Sequence, residues 1–182
     1  MKRLAVALLL DLNIACQGTP ATGFTDGSSS GLLGGQDSGQ EITPGECVSG
    51  DWWTDGDRGS SKMHPGSDCN ACHQREREGP IYAVAGTIYT DWEEPTDCYG
   101  PSDIEVLFQD GSGRELSAWS NSAGNFTLKK GDFDLDWPVH TAVVVGGEER
   151  WMDDPVTESD GSCNSCHTPE GTDGAPGRVV LP

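Results

Sequence analysis

Two short motifs of the sequence carry residue types that bind metals and cofactors. They read CNACH, from Cys69 to His73, and CNSCH, from Cys163 to His167. Two cysteines separated by two residues can bind zinc as thiolates, close a disulfide, or form thioether bonds to the two vinyl groups of a haem. These three chemistries differ in what they require of the next residue.

The histidine that ends each motif separates the three chemistries. Neither a zinc site made of the four motif cysteines nor a disulfide needs it, and the chain has only four histidines in 182 residues. In haem attachment the next side chain lies beneath the iron, where imidazole is the proximal ligand. The sequence therefore predicts two covalent haems c, with His73 and His167 as proximal ligands and zinc or disulfides as alternatives. The thioether cysteines would be Cys69, Cys72, Cys163 and Cys166.

Four further residues are candidates for the sixth ligand of the two irons. His64 lies in a predicted loop five residues before Cys69, and His140 opens a predicted strand. Met152 ends a predicted hairpin, and Met63 is next to His64. We expect two histidine ligands on at least one iron, with the methionines as weaker candidates that would raise the potential. An open sixth position would permit ligand binding or peroxidase-like chemistry, and an exposed histidine with no iron to bind is the remaining alternative.

The N-terminal segment predicts export. Lys2 and Arg3 precede seven apolar residues, an arrangement that is typical of a signal peptide and predicts one over residues 1–15. The apolar run is too short to span a bilayer, which takes about 20 residues. Ile14 and Ala15 before Cys16 resemble the processing site of bacterial lipoproteins, which implies a lipid on Cys16, with free secretion as the alternative. Residues 16–46 are rich in Gly, Ser and Thr and predict a flexible linker from the lipid anchor.

Export also bears on the remaining cysteines and on the charge. Of seven cysteines, Cys16 and the four motif residues leave Cys47 and Cys98, so a disulfide between these two is predicted by subtraction. The net charge of −19 argues against nucleic acid as a partner and suits either solubility or docking of a basic redox protein.

The elements that must position the motifs are strands. Runs of β-branched and aromatic residues separated by Gly and Asn turns predict a mainly β fold, a small antiparallel β-sandwich over residues 81–152. The flanks 47–80 and 153–182 have few apolar positions and predict two loop-rich haem-binding segments that cannot build cores of their own. In the second flank, Arg178 is either a solvated side chain or a partner for a haem propionate. The predicted strands are 81–89, 103–110, 114–120, 126–130, 140–145 and 148–152.

Two resemblances follow from these residues. The stretch from AGTIY to GNFTL resembles the carboxypeptidase regulatory-like, transthyretin-type (Ig-like) sandwich repeat, which implies a scaffold and no chemistry. Its matching positions are Gly86, Asp110, Gly113, Gly124 and Phe126. Residues 64–182 as a whole resemble the small multihaem c-type cytochromes of exported bacterial lipoproteins, which place CxxCH motifs on either side of a β-sandwich.

This second resemblance implies a dihaem cytochrome that carries single electrons at the cell envelope or outside the cell and is not an enzyme. It also implies an outer-membrane lipoprotein, periplasmic or cell-surface, whose partners are redox proteins, other cytochromes or copies of itself. The alternatives are a lipid-tethered binding or structural module held by zinc or disulfides, and a haem peroxidase or sensor with an open iron position.

Overall fold

The computed structural model of the chain describes Cys47 and residues 60–182. The predicted signal peptide, Cys16 and the linker lie outside the described residues. Within the described part, none of the helices is long and apolar enough to cross a membrane. In chain order the elements are helix α1 (Cys69–Glu76), strands β1 (Tyr82–Tyr89), β2 (Glu105–Gln109), β3 (Glu115–Trp119), β4 (Asn125–Lys129), β5 (His140–Val145) and β6 (Glu148–Trp151), two 3₁₀ turns (Glu158–Asp160 and Cys163–Ser165), and strand β7 (Val179–Val180).

The strands form two sheets that pack face to face. One sheet has the order β4-β1-β7 and the other has the order β3-β2-β5-β6. All pairs are antiparallel except that of β1 with β7, where Ile88 lies beside Val179 and Tyr89 beside Val180 in parallel. The predicted β-sandwich is confirmed, with one parallel edge strand that the sequence analysis did not include.

The core lies between the sheets and is built from the inward-facing positions of each strand. Phe108 of β2 and Phe126 of β4 meet there with ring centroids 6.4 Å apart, and Ile88 of β1 is fully buried. Burial of such side chains contributes about 1.5–3 kcal/mol each. The buried core residues are Val84, Ile88, Val106, Phe108, Ala118, Phe126, Leu128, Val139 and Val143.

A buried carboxylate holds the turn between β2 and β3. Asp110 accepts hydrogen bonds from the hydroxyl of Ser112 at 2.6 Å and from the backbone N–H groups of Ser112 and Arg114, both at 3.0 Å. The hydroxyl bond contributes most to lowering the pKa of Asp110 to about 2. This turn fixes the register of the hairpin and with it the alternation that fills the core.

Within the described residues, both flanks contain short ordered elements. The first contains helix α1, which begins after Asp68, whose side chain accepts a hydrogen bond from Ala71 N at 2.9 Å. The sequence analysis missed this helix because it buries no residue and so leaves no apolar period. The second flank packs onto the sandwich: Gly161 O accepts a hydrogen bond from Ala85 N of β1 at 2.7 Å, and Val180 is buried.

Candidate functional site

The two CxxCH motifs dock side by side on strand β1. Asn70, the second residue of the first motif, accepts from Tyr82 N at 2.9 Å and donates to Tyr82 O at 3.0 Å. Asn164, at the same place in the second motif, accepts from Thr87 N at 3.3 Å and donates to Thr87 Oγ1 at 3.2 Å and to Ser67 O at 2.9 Å. One strand therefore positions both motifs.

Sequence reasoning missed these two asparagines as positioning residues. The available signal was their repetition, since Asn follows the first cysteine in both motifs. Asn164 is buried at 5% exposure, and a buried amide must find partners for its donors and acceptor. Its role could not be assigned without knowing that Thr87 lies opposite.

The two motif histidines are held in the same way. His73 Nδ1 lies 2.6 Å from Pro80 O, and His167 Nδ1 lies 2.7 Å from Gly177 O. A carbonyl oxygen only accepts, so Nδ1 carries the proton in both rings and Nε2 keeps its lone pair. A histidine that donates Nδ1–H to a carbonyl and presents Nε2 is the usual arrangement of a metal ligand.

Close backbone contacts fix the two imidazole environments. A Cβ added at Gly79, where φ is +73°, would lie 3.0 Å from the His73 ring, and the ring of Tyr82 is 5.6 Å away on centroids. A Cβ at Gly177, where φ is +132°, would lie 3.0 Å from the Trp92 ring. Glycine at these two positions lets the chain turn back so that a carbonyl reaches each histidine.

The thiols that face the sandwich are protonated at neutral pH. Burial, and next the charge of Asp68, raises the pKa of Cys69 to about 11. Burial, and next the electrostatic effect of Cys69, raises the pKa of Cys163 to about 12. A raised pKa makes a thiol a poor nucleophile, which disfavours the thioredoxin-type alternative.

The other two motif cysteines differ from this pair. Cys72 is a free thiol that accepts a hydrogen bond from Arg75 Nη2 at 3.6 Å. Cys166 is disulfide-bonded.

The predicted disulfide between Cys47 and Cys98 is confirmed, with Cα atoms 5.3 Å apart. Together with Asp97 these residues form the one group of three metal-ligand atoms within 4.8 Å in the described part of the chain. Because both sulfurs are used in the disulfide, this group is not a metal site. The motif cysteines are not gathered as tightly, so a four-cysteine zinc site is not assembled among the described residues.

A cavity of about 550 Å³ opens beside the second motif. Cys163, Cys166 and His167 line it together with apolar side chains of the core and the aromatic ring of Trp92. Its size and lining match those of small-molecule and cofactor sites. Met152 lines the same cavity. The cysteines and His73 of the first motif line neither this cavity nor the one beside α1, and α1 buries none of its residues.

The candidate sixth ligands are scattered over the molecule. His140 is exposed on β5, opposite Gln109, and His64 is half-buried in the loop before α1 with φ of 45°. Neither lines the cavity beside the second motif. Met63 packs against the Cys47–Cys98 disulfide. Of the four candidates, only Met152 is brought to the same cavity as a motif histidine.

Arg178 is not the solvated side chain that was one of the two expectations. It is 8% exposed, its guanidinium lies 4.8 Å from the centre of the Tyr89 ring, and it pairs with Asp97 at 3.4 Å and donates to Glu94 O at 2.9 Å. Its charge is thus already compensated, which disfavours a role as the partner of a propionate.

Comparison with known proteins gives no significant match to a protein-family model, to a curated protein or to a solved structure.

Proposed function

We propose that the chain is an exported dihaem c-type cytochrome that carries single electrons at the cell envelope or outside the cell. The observation that carries this proposal is the shared state of His73 and His167. Each donates Nδ1–H to a backbone carbonyl and keeps Nε2 available as a ligand. Neither zinc bound by four cysteines nor a disulfide gives these histidines a role.

The residues around the second motif suit a haem. The cavity supplies apolar walls for a macrocycle, and Cys163, Cys166 and His167 lie on its surface at the spacing that thioether attachment requires. When bound, haem c supplies a one-electron Fe(III)/Fe(II) couple. The chain's own contribution is to orient His167 through Gly177 O, to fix the motif on β1 through Asn164, and to exclude water with the core side chains.

The two proposed haem sites differ in solvent exposure, which suggests that the two haems have different roles in electron transfer. A haem on α1 would lie at the surface and be open to a redox partner, whereas a haem in the cavity would be shielded. We assign Met152 as the better candidate for the sixth ligand of the shielded iron because it shares the cavity with His167. Shielding and methionine ligation both raise the potential, so the second haem would be the higher-potential one.

The proposed setting is an outer-membrane lipoprotein anchored through Cys16, with redox proteins, other cytochromes or copies of itself as partners. The Cys47–Cys98 disulfide supports an oxidising compartment outside the cytoplasm. The resemblances to multihaem cytochromes and to the carboxypeptidase regulatory-like repeat belong to the same proposal. The alternatives are a zinc- or disulfide-held binding module and a haem peroxidase or sensor.

The test is the mass and visible spectrum of protein exported by a host that has haem-maturation machinery. We expect two covalent haems, and one haem each for the paired variants Cys69→Ala/Cys72→Ala and Cys163→Ala/Cys166→Ala. A colourless protein that carries zinc or no metal would falsify the haem proposal and favour the binding module.

The sixth ligand is tested separately by substitution in the haem-loaded protein. Met152→Ala should change the spectrum and lower the potential of one haem, while the matched control Met63→Ala should leave both unchanged. If Met152→Ala has no effect and His140→Ala does, the assignment of Met152 is wrong although the dihaem proposal stands.

A further inference from the structure

The sheet β3-β2-β5-β6 has an outer face, turned away from the core. Side chains alternate along a strand, and residues paired across an antiparallel sheet point to the same side. Val106 and Phe108 of β2 point into the core, so the residues on either side of them and the partners of those residues point outward. The outer face therefore consists of the odd-numbered residues of β2, β3 and β6 and the even-numbered residues of β5.

Two tryptophans stand near opposite edges of the outer face. Trp119 on β3 is 59% exposed, and Trp151 on β6 is 38% exposed. Three strand spacings of about 4.8 Å lie between β3 and β6, so these two strands run about 14 Å apart. Between them the half-buried side chains of Leu107 and Val144 add apolar surface. Exposed tryptophans of this kind are the residues that most often anchor protein–protein interfaces.

The charge of the outer face favours a cationic partner. Glu105, Glu115 and Glu149 point outward, and no Lys or Arg occupies an outward position of the four strands. Each carboxylate accepts a hydrogen bond from a neutral side chain of the same face, and in the described part of the chain none of the three pairs with a cation. Tryptophan is also the aromatic residue that attracts a cation most strongly. The rings and the carboxylates thus favour the same chemistry.

The same charges disfavour the other occupants of such a face. A second copy of the chain would bring three identical carboxylates against it, and the net charge of −19 adds to the repulsion. Anionic lipid headgroups are repelled for the same reason. An uncharged glycan would use the rings and leave the three carboxylates without a counterion.

The outer face is continuous with the cavity beside the second motif. Trp151 belongs to the face through its pairing with Ala142, and it also lines that cavity. A molecule docked across the face would therefore lie next to the cavity that contains His167.

We propose that the outer face is the docking surface of a basic protein. Lys or Arg side chains of the partner lie over the rings of Trp119 and Trp151 and pair with the three glutamates. Because the face is only four strands wide, the interface is small and the complex is weak and sensitive to salt. The docking does not depend on the proposed haems, and only the identity of the partner as a redox protein rests on the proposed function.

The experiment is calorimetric titration of the full exported chain at low salt with a peptide of eight arginines, which stands in for the basic surface. A peptide of eight citrullines is the neutral control, and cellohexaose is the glycan probe. We expect the arginine peptide to bind, its affinity to fall as salt is added, and the other two not to bind. Equal binding of the citrulline peptide, or binding of the sugar in place of the arginine peptide, would overturn the proposal.

Variants locate the site on the outer face. Trp119→Ala should weaken binding of the arginine peptide about threefold, and Trp119→Ala/Trp151→Ala about tenfold, because a cation loses the ring beneath it. The control Phe133→Ala removes a ring that is 41% exposed but lies outside the four strands, and it should bind as the parent does. Glu149→Gln should weaken binding about twofold, and its matched control Glu170→Gln, exposed on the second flank, should have no effect.

The controls decide between this face and the rest of the acidic surface. Equal losses in Trp119→Ala and Phe133→Ala, or in Glu149→Gln and Glu170→Gln, would show that the peptide binds elsewhere and would overturn the proposal. If the double tryptophan variant does not fold, the comparison of Trp119→Ala with Phe133→Ala still decides. Absence of binding in a protein that carries two haems overturns the docking surface and leaves the proposed function standing.

Discussion

Replacing Asn164 by alanine should detach the second motif from the sandwich. Thr87 N faces the downstream segment, because the neighbouring N–H of Ile88 bonds to Gly124 O on the β4 side, and Asn164 Oδ1 is the acceptor for Thr87 N at 3.3 Å. The variant leaves this buried donor unpaired and removes the bond to Ser67 O at 2.9 Å. Thr87 Oγ1 stays satisfied, because it still donates to Asn125 Oδ1 at 2.7 Å.

These losses set the expected magnitude. One orphaned N–H and one lost hydrogen bond, both at a residue that is 5% exposed, amount to about 3 kcal/mol of unfolding free energy. Asn70→Ala is the matched control in the first motif. Its two hydrogen bonds to Tyr82 lie at the half-buried start of β1, where water can replace them. We therefore expect Asn70→Ala to lower the unfolding free energy by only about 1 kcal/mol.

The assay is guanidinium unfolding of the two variants, made in a host without haem-maturation machinery so that Cys163 keeps a free thiol, together with hydrogen exchange at Thr87 and the rate at which iodoacetamide alkylates Cys163. Asn164→Ala should accelerate both exchange and alkylation, because the motif leaves the strand more often. Equal costs for the two asparagine variants, or unchanged alkylation of Cys163, would refute the view that Asn164 anchors the motif.

Further expectations concern stability. The double variant Cys47→Ser/Cys98→Ser opens a loop of 51 residues and should lower the unfolding free energy by about 4 kcal/mol, measured by denaturant titration against the oxidised parent. Asp110 has a pKa of about 2 in the folded protein, below its usual 3.8. Its ionised carboxylate therefore contributes fully to the unfolding free energy above about pH 4, and this contribution is lost as the pH falls through 2. In Asp110→Asn, the melting temperature should depend less on pH in this acidic range. Arg178→Met should cost about 3–5 kcal/mol, because it leaves a buried aspartate without its cation, and a loss under 1 kcal/mol would contradict the pairing.

Period-2 patterns predicted the strands well wherever one face is buried. The alternation of Val106 and Phe108 with polar neighbours predicted β2, and the Gly turn that follows predicted its hairpin with β3. The sequence did not predict strand β7, because its two residues, Val179 and Val180, are too few to show a period. It forms only because β1 offers an open edge, which is tertiary information.

The candidate site also has a part that the sequence predicted and a part that depends on tertiary structure. Residue types and spacing identified both motifs and both histidines, since that chemistry is local in the sequence. The supports of the site come from distant segments and could not be foreseen. Gly177 O reaches His167 through a loop, Asn164 meets Thr87 across 77 residues, and Arg178 finds a buried aspartate 81 residues away.

The parallel pairing of β1 has a consequence for folding kinetics. The side of β1 away from β4 is completed by Ser162, beside Ala85, and by β7, beside Ile88 and Tyr89, both more than 70 residues downstream. Closure of so large a loop is slow, and parallel pairing at such sequence separation is slower than hairpin formation. Until the downstream segment arrives, β1 presents an unpaired apolar edge, which is the kind of surface from which strands aggregate. The hairpins therefore form early, and the step that completes the sheet is also the step that brings Asn164 of the second motif to Ser67, just before the first motif.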